Sequence, residues 1–411
     1  MKSTTEGRLL LHKKRLEGET LQKVRYIFYE VRCSVFLFVL ALAATANAVE
    51  VHLLRTPDGG IQPQAAVEAS GIVHLIYFKG DPKGGDIFYV RREPGREQFS
   101  QPLLVNRQPH TAMAIGTIRG AQLAVGRNGR VHVAWDGMGN GNSDFVAAAK
   151  GQTPLLYTRL NEAGNAFEPE RNIVTYAYGL DGGSSVAADL QGNVYVTWHA
   201  PRPGNTNGEA GRAVFVARST NEGKSFLPET EATSDPTGAC ACCGMRAFAD
   251  NSGAVYLLFR AAGERINRDE TLLISNDFGI HFRTAYAHGW KDTTCPMSSA
   301  SLSEGSEGIL AAAETHGRVF FVRVDPATGR VSSPVSPEVQ AKHPVAIANR
   351  KGATLFVWTE GTGWNKGGAV GWQLFDRDNQ PITNKRRKDG VQTWSLATAF
   401  AEADGNFTIV Y

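Results

Sequence analysis

Seven times along the chain, a short run of small and alternating residues meets a Gly-bearing turn, then a run dense in β-branched and aromatic residues. The copies read "AAVEASGIVHLIYF", "AQLAVGRNGRVHVAW", "SSVAADLQGNVYVTW", "MRAFADNSGAVYLLF", "SASLSEGSEGILAAA", "PVAIANRKGATLFVW" and "LATAFAEADGNFTIVY". Alternation broken by Gly beside Asn, Asp or Ser predicts antiparallel hairpins. Gly71, Gly129, Gly192, Gly253, Gly352 and Gly405 each stand six residues before Tyr77, Trp135, Trp198, Phe259, Trp358 and Tyr411. The fifth copy is off by one, with Gly308 and Ala313. Copies recur every 45 to 63 residues, which leaves room for two further strands in each. The segments "DIFYVRR", "PLLYTRL", "AVFVARS", "TLLISND" and "RVFFVRV" supply the third strand of five copies.

Four antiparallel strands per copy, repeated around a ring, predict an all-β propeller. Seven blades are counted, and six remain open if the final hairpin packs differently. A solenoid is the runner-up, but its coils are shorter and lack the meander order. Small residues in each first strand suit the crowded axis. The chain ends two strands into the last copy, so "VEVHLLR" (Val49 to Arg55) is expected to complete that blade and close the ring.

The third strands run into a second kind of turn. "STNEGKSF" (Ser219 to Phe226) and "SNDFGIHF" (Ser275 to Phe282) share a Ser, an Asn/Asp, a Gly and a closing Phe. Weaker copies are "LNEAGNAF" (Leu160 to Phe167) and "REPGREQF" (Arg92 to Phe99). Asn and Asp fold back onto their own backbone, Gly supplies positive φ, and Phe anchors the turn. These turns resemble the Asp-box of sialidases and the wider bacterial-neuraminidase-repeat families, with Asn221 in place of Asp in the first. The stretches "RGAQLAVGRNGRVHVAWDG", "GACACCGMRAFAD" and "CPMSSASL" are similar to exported bacterial sialidase-like proteins. The resemblance covers roughly residues 50 to 411 and implies a sialidase-like propeller that binds or processes glycans.

Sialidase chemistry, as that resemblance implies it, needs three arginines on the substrate carboxylate, a Tyr activated by a Glu, and an Asp acid/base. The Phe/Tyr-Arg-Ile-Pro motif that carries the first arginine is absent, with "LLRTPDGG" the nearest stretch. Ordinary exo-sialidase chemistry is therefore not expected, although an exo-α-sialidase-like glycoside hydrolase stays among the readings.

Residues 1–48 differ from the rest. "VFLFVLALAA" (Val35 to Ala44) follows basic residues and precedes "ANA" (Ala46 to Ala48), which predicts a signal peptide cleaved after Ala48. A retained membrane anchor is the alternative, and the long n-region leaves a later translation start open. Of 43 Lys/Arg and 40 Asp/Glu, this segment holds eight and four, so the propeller itself is near neutral. That excludes an electrostatic nucleic-acid binder. The run "KRRK" (Lys385 to Lys388) reads as a solvated loop. The expected product is a secreted or periplasmic monomer with no stable membrane span, a single domain over residues 49–411.

Meander order puts the Gly turns and Asp-box turns on one face and the strand entries on the other. On the entry face, the residue after each aromatic column position reads Phe78, Asp136, His199, Arg260, Glu314 and Thr359, with Glu360 next. The loops "GMGNGNSD", "APRPGNTNGEAG", "AAGERINRDE" and "GTGWNKGG" follow these positions. Long Gly/Asn loops on a rigid ring are common binding-site construction. Asp136, Glu314 and Glu360 are the candidate acids. Arg119, Arg246, Arg260, Arg268 and His199 are the candidate ligand-binding groups for a glycan or other small polar or anionic ligand. Pairing of Arg260 with Glu314 as a structural plug is the alternative.

Cys240, Cys242, Cys243 and Cys295 remain after the leader is removed. An even count in an exported chain reads as disulfides, with a bridge from the 240–243 cluster to Cys295 stapling two blades. Thiolate binding of copper or zinc is the sharper alternative, although "CACC" lacks paired CxxC spacing. No cofactor is called for and no metal is assigned. Three classes thus stand: a glycan-processing enzyme, a binding propeller, and an exported redox or metal protein.

Overall fold

The structure is a computed structural model that describes residues 49–138, 152–233, 237–294 and 296–411. The leader expected over residues 1–48 and Cys295 lie outside the described residues.

Among the described residues seven sheets follow one another; six are antiparallel and in simple meander order, and the seventh is mixed. Five have four strands. In the fourth blade these are Arg246–Ala249, Val255–Arg260, Glu270–Ser275 and Arg283–His288. The fifth blade has three, Ser301–Gly305, Gly308–Thr315 and Arg318–Val324, its outer place taken by single bridges from Val331 and Val335. The seventh is made of Thr398–Ala401, Phe407–Val410 and Val51–Leu54. Val51–Leu54 runs parallel to Phe407–Val410, with Val51 opposite Phe407 and Leu54 opposite Val410. Seven blades, not six, therefore form the propeller, and a strand from near the start of the described chain completes the last.

The aromatic column is the core of this arrangement. Trp135, Trp198 and Trp358 are fully buried, as are Tyr77 and Phe259. Each fills the space between its own blade and a neighbour: Trp135 packs with Ile76 and Tyr89, and Phe259 with Tyr195 and Val214. The off-by-one fifth copy puts Ala313 there, also buried, and its second and third strands meet in a tight turn at His316 (φ 55) and Gly317 (φ 72). Positive φ at both central residues matches the right-handed twist of a two-residue hairpin.

The turns lie as the meander predicts. In the fourth blade Gly253 (φ 88) abuts the Phe278 ring, so a side chain there would clash with the Asp-box turn of the same blade. In the third, the Glu222 amide donates to the Gly192 carbonyl. Gly turns and Asp-box turns thus share one face. Asp277 accepts the Ser275 hydroxyl at 2.7 Å and the His281 amide at 2.9 Å, while the Gly279 amide reaches Ser275 Oγ. Phe167 is buried and Phe99, Phe226 and Phe282 pack onto blade cores. The boxes are fasteners.

One expectation fails. Arg386–Val391, which contains most of "KRRK", is the outer strand of the sixth blade and not a loop. Its first five residues are exposed. Cationic side chains on such an edge discourage pairing with another chain.

Candidate functional site

The entry end of the axis is crossed by a loop. Residues 114–120, "AIGTIRG", lead into the second blade and reach partners around much of the ring. Gln62 of the first blade donates to the Ala114 carbonyl at 2.6 Å and to the Trp394 carbonyl at 2.7 Å. Thr117 Oγ1 lies 3.2 Å from His343 Nε2 of the sixth blade. The Ile118 carbonyl sits hard against Gly183 before the third blade. Gly116 (φ 78) is placed so that a Cβ would lie 3.0 Å from the Trp364 ring and 3.3 Å from both Arg119 Nη1 and Met297 Cε. A bare glycine is what lets these three groups converge.

Trp364 is 57% exposed, the largest fraction among the exposed large apolar side chains. It meets Trp394 edge-on, ring centroids 6.4 Å apart. Beside it, Arg119 binds Asp181 through Nη2 at 2.6 Å and the Asp181 carbonyl through Nε at 2.7 Å. The Asp181 side chain is half exposed. The result is an aromatic and thioether surface flanked by an ion pair over a floor of backbone. Neither tryptophan was singled out from the sequence, although "GTGWNKGG" placed one in an entry-face loop.

The candidate acids fall into three separate networks. Asp136 is 1% exposed; its Oδ1 accepts the Ser184 amide and hydroxyl, at 3.2 and 2.9 Å, and its Oδ2 has no hydrogen-bond partner. Burial pushes its pKa up to about 7 against the pull of the Ser184 bonds. Glu314, also 1% exposed, accepts the Gly317 amide at 2.6 Å and pairs with Arg260. Glu360 accepts the Trp358 indole at 2.7 Å and pairs with exposed Arg387. Among the described residues no hydrogen bond or ion pair joins any two of the three.

Arg260 is in a buried knot. It lies 3.1 Å from Glu270 and 3.5 Å from Glu314, donates to the Arg268 carbonyl at 2.9 Å, and stacks on Trp290 at 4.9 Å. Its side chain is 3% exposed, which matches the structural-plug alternative and leaves no surface for a ligand. Glu270, missed in the sequence, is pushed up to about 7 by burial despite Arg260. Arg268 pairs with Glu209 at 2.8 Å. His199 is buried between Arg212, whose Nη2 is 3.0 Å from Nδ1, and the Cys243 carbonyl. Burial and that guanidinium hold its pKa down to about 3, so it stays neutral. Arg246 points elsewhere, into the axial channel.

The cysteines adjoin the knot. Cys240 Sγ and Cys243 Sγ are 3.5 Å apart, and the Cys240 amide donates to the Arg260 carbonyl. Ligand atoms of Glu209, Cys240 and Cys242 lie within 4.8 Å of one another, with Cys242 disulfide-bonded. Burial opposes ionisation of Cys243, but the Cys240 hydrogen bond and the Arg260 charge outweigh it and bring the thiol down to about 6. The expected bridge to Cys295 falls on a residue outside the described ones.

Asp136 gives a pH test. Its carboxyl titrates near 3.8 when unfolded and near 7 when folded. Below pH 4 it is protonated in both states and has no effect. As pH rises from about 4 to 7 the folded state loses stability, on the order of 4 kcal/mol in all, and above that the loss stays constant. Asp136→Asn is therefore expected to melt higher than wild type at pH 8 and equally at pH 4. A difference that stays constant over that interval would refute the assignment.

No family model matches the chain, and no curated protein matches it. Solved structures do. The sialidase of Trypanosoma rangeli aligns with a TM-score of 0.50 at 12% identity, over 77% of this chain and 56% of that one. An α-L-arabinofuranosidase of Fusarium graminearum, solved with an iminosugar inhibitor, aligns at 0.50 and 12% over 76% and 92%. At that identity the likeness shows the fold alone: a seven-bladed propeller resembling those of sialidases and other carbohydrate-active enzymes. Among the described residues no helix is long and apolar enough to cross a membrane.

Proposed function

We propose that the protein is a glycan-binding propeller that holds its ligand at the entry mouth without cleaving it. The observation that carries this reading is the exposed Trp364, set over Gly116 beside Met297, Arg119 and Trp394. An exposed apolar patch ringed by polar groups marks an interaction site. The C–H face of a sugar ring lies well on an indole, and Asp181 and Arg119 are there to meet its hydroxyls. Outside sialidases, cleavage in most glycoside hydrolases needs two carboxyl groups flanking one glycosidic bond. Asp136 and Glu314 are each 1% exposed and engaged in separate networks, which argues against it. Export through the leader over residues 1–48 is part of the same proposal.

A glycan-array screen with a parallel assay on fluorogenic glycosides tests this. Wild type is expected to bind at least one glycan and turn over none, and Trp364→Ala to lose at least tenfold in affinity while melting normally. Unchanged binding in that variant would move the site. Hydrolysis that disappears in Asp136→Asn or Glu314→Gln would restore the enzyme reading.

The grouping of Glu209, Cys240 and Cys242 supports a second reading, a soft-metal site. Cys242 is disulfide-bonded, so this reading requires that bond to be reduced first. Zinc or copper retained after desalting, and lost in Glu209→Gln with Cys240→Ser, would favour it.

A further inference from the structure

The axial channel is a second site, independent of the entry mouth. It has a volume of about 710 Å³ and is lined by the first strands of all seven blades. Turn residues Ser70, Gly71, Gly129 and Asn251 line it too, so it reaches the Gly-turn face. At the opposite end it runs to Gln122, Ser185, Arg246, Ser299 and His343, under the loop that crosses the entry mouth. The volume is in the range of sites for small organic ligands, roughly 300–1,000 Å³.

Arg246 stands out in this channel. Among the described residues its guanidinium makes one hydrogen bond, from Nη1 to the carbonyl of Met245 at 3.2 Å, and no carboxylate pairs with it. The other two arginines of the fourth blade's entry side behave differently: Arg260 has Glu270 and Glu314, and Arg268 has Glu209. Burial alone, with no compensating acid, lowers the Arg246 pKa to about 10. Arg246 is half-buried, so its guanidinium faces the water of the channel and is free to meet an anion that enters. His343 does not share the role. Its Nδ1 accepts the Ser299 amide at 3.2 Å, so Nε2 carries the proton toward Thr117, and the ring is neutral. The channel's inner end therefore holds one fixed positive charge.

The walls decide what kind of anion fits. Between Arg246 and the mouth they are largely Ala, including Ala65, Ala124, Ala187 and Ala399, with Phe248 and Phe400. The Gly-turn mouth carries Glu68, Glu304 and Glu402, the last paired with Arg92 at 2.7 Å, together with Arg350. Acids at the mouth disfavour a polyanion, and the apolar walls disfavour a fully hydrated one. We propose that the channel binds an organic monocarboxylate, its head group held by Arg246 and its apolar body lying along the alanine walls toward the Gly-turn face. The guanidinium fork matches a carboxylate through two parallel hydrogen bonds.

Sodium octanoate, with octanol and sodium sulfate as controls, tests the proposal by calorimetry and thermal melting. Octanoate is expected to bind wild type and raise its melting temperature. Octanol and sulfate are expected to bind at least tenfold more weakly. Arg246→Met is expected to lose at least tenfold in octanoate affinity, with Arg246→Lys intermediate. Ala66→Phe narrows the channel without touching the charge, and is expected to block octanoate if Arg246→Met folds poorly. Equal binding by wild type, Arg246→Met and Ala66→Phe would overturn the site. No octanoate binding by wild type, or Arg246-dependent binding of sulfate alone, would overturn the ligand class.

Discussion

Arg260→Met is expected to destabilise the fold by about 3–5 kcal/mol, because it leaves Glu270 and Glu314 buried without their cation. Both carboxylates are almost fully buried, at 4% and 1% side-chain exposure. The loss is expected to be larger at pH 8 than at pH 5. At the lower pH the two acids, already biased toward protonation by burial, become neutral and relieve the repulsion. The triple change Arg260→Met, Glu270→Gln, Glu314→Gln is expected to recover most of the stability, since it removes the charges together. Urea unfolding of wild type, the single variant and the triple variant at the two pH values checks this. A single variant within 1 kcal/mol of wild type would show that the knot contributes little. The knot also explains how a binding experiment on Arg260 alone could mislead: ligand affinity would fall because the fourth and fifth blades part.

Shortening the chain to begin at Thr56 is expected to lower stability by about 4 kcal/mol, on about 1 kcal/mol for each ladder hydrogen bond lost. Val51–Leu54 is one of only three strands in the seventh blade, and it is anchored beyond the ladder. The Thr56 amide donates to the Tyr411 carbonyl at 3.0 Å, and the Arg55 guanidinium lies 4.2 Å from the centre of the Tyr411 ring. Without it, Phe407–Val410 becomes an open edge, ready to pair with another chain. Light scattering during a thermal melt is expected to rise earlier, and a peptide of residues 49–56 is expected to restore the midpoint. A shortened protein that melts like the full one would mean that the other two strands suffice.

The fold was legible in the sequence because its signals are local. A Gly six residues before an aromatic marks one hairpin, and six such pairs mark a repeat. The Asp-box needs only eight residues to show its turn. What encodes a site here is which residues of different blades meet, and no local pattern carries that. Asp136 and Glu314 stand at the same column position, which suggested a shared pocket. Each instead bonds to an adjacent blade, through Ser184 and through Arg260, because sequential blades are the ones in contact. Arg246 looked like an entry-face residue by its position at the start of the fourth copy's first strand. It lines the channel, since it is the first residue of that strand and the loop of residues 114–120 caps the mouth above it. Trp364 lay in a loop already picked out, but its value depends on Gly116, some 250 residues earlier in the chain.

Ring closure has a kinetic side. Val51 pairs with Phe407, so two strands more than 350 residues apart must find each other before the seventh blade exists. The other six blades are meanders of strands that follow one another in the chain. Loop-closure entropy grows slowly with length, but it must be met before any contact rewards it, and non-local pairing is what slows folding. The six local blades are thus expected to form first and hold the two ends near one another. Docking of Val51–Leu54 would be the last and slowest step, the one after which the circle has no beginning.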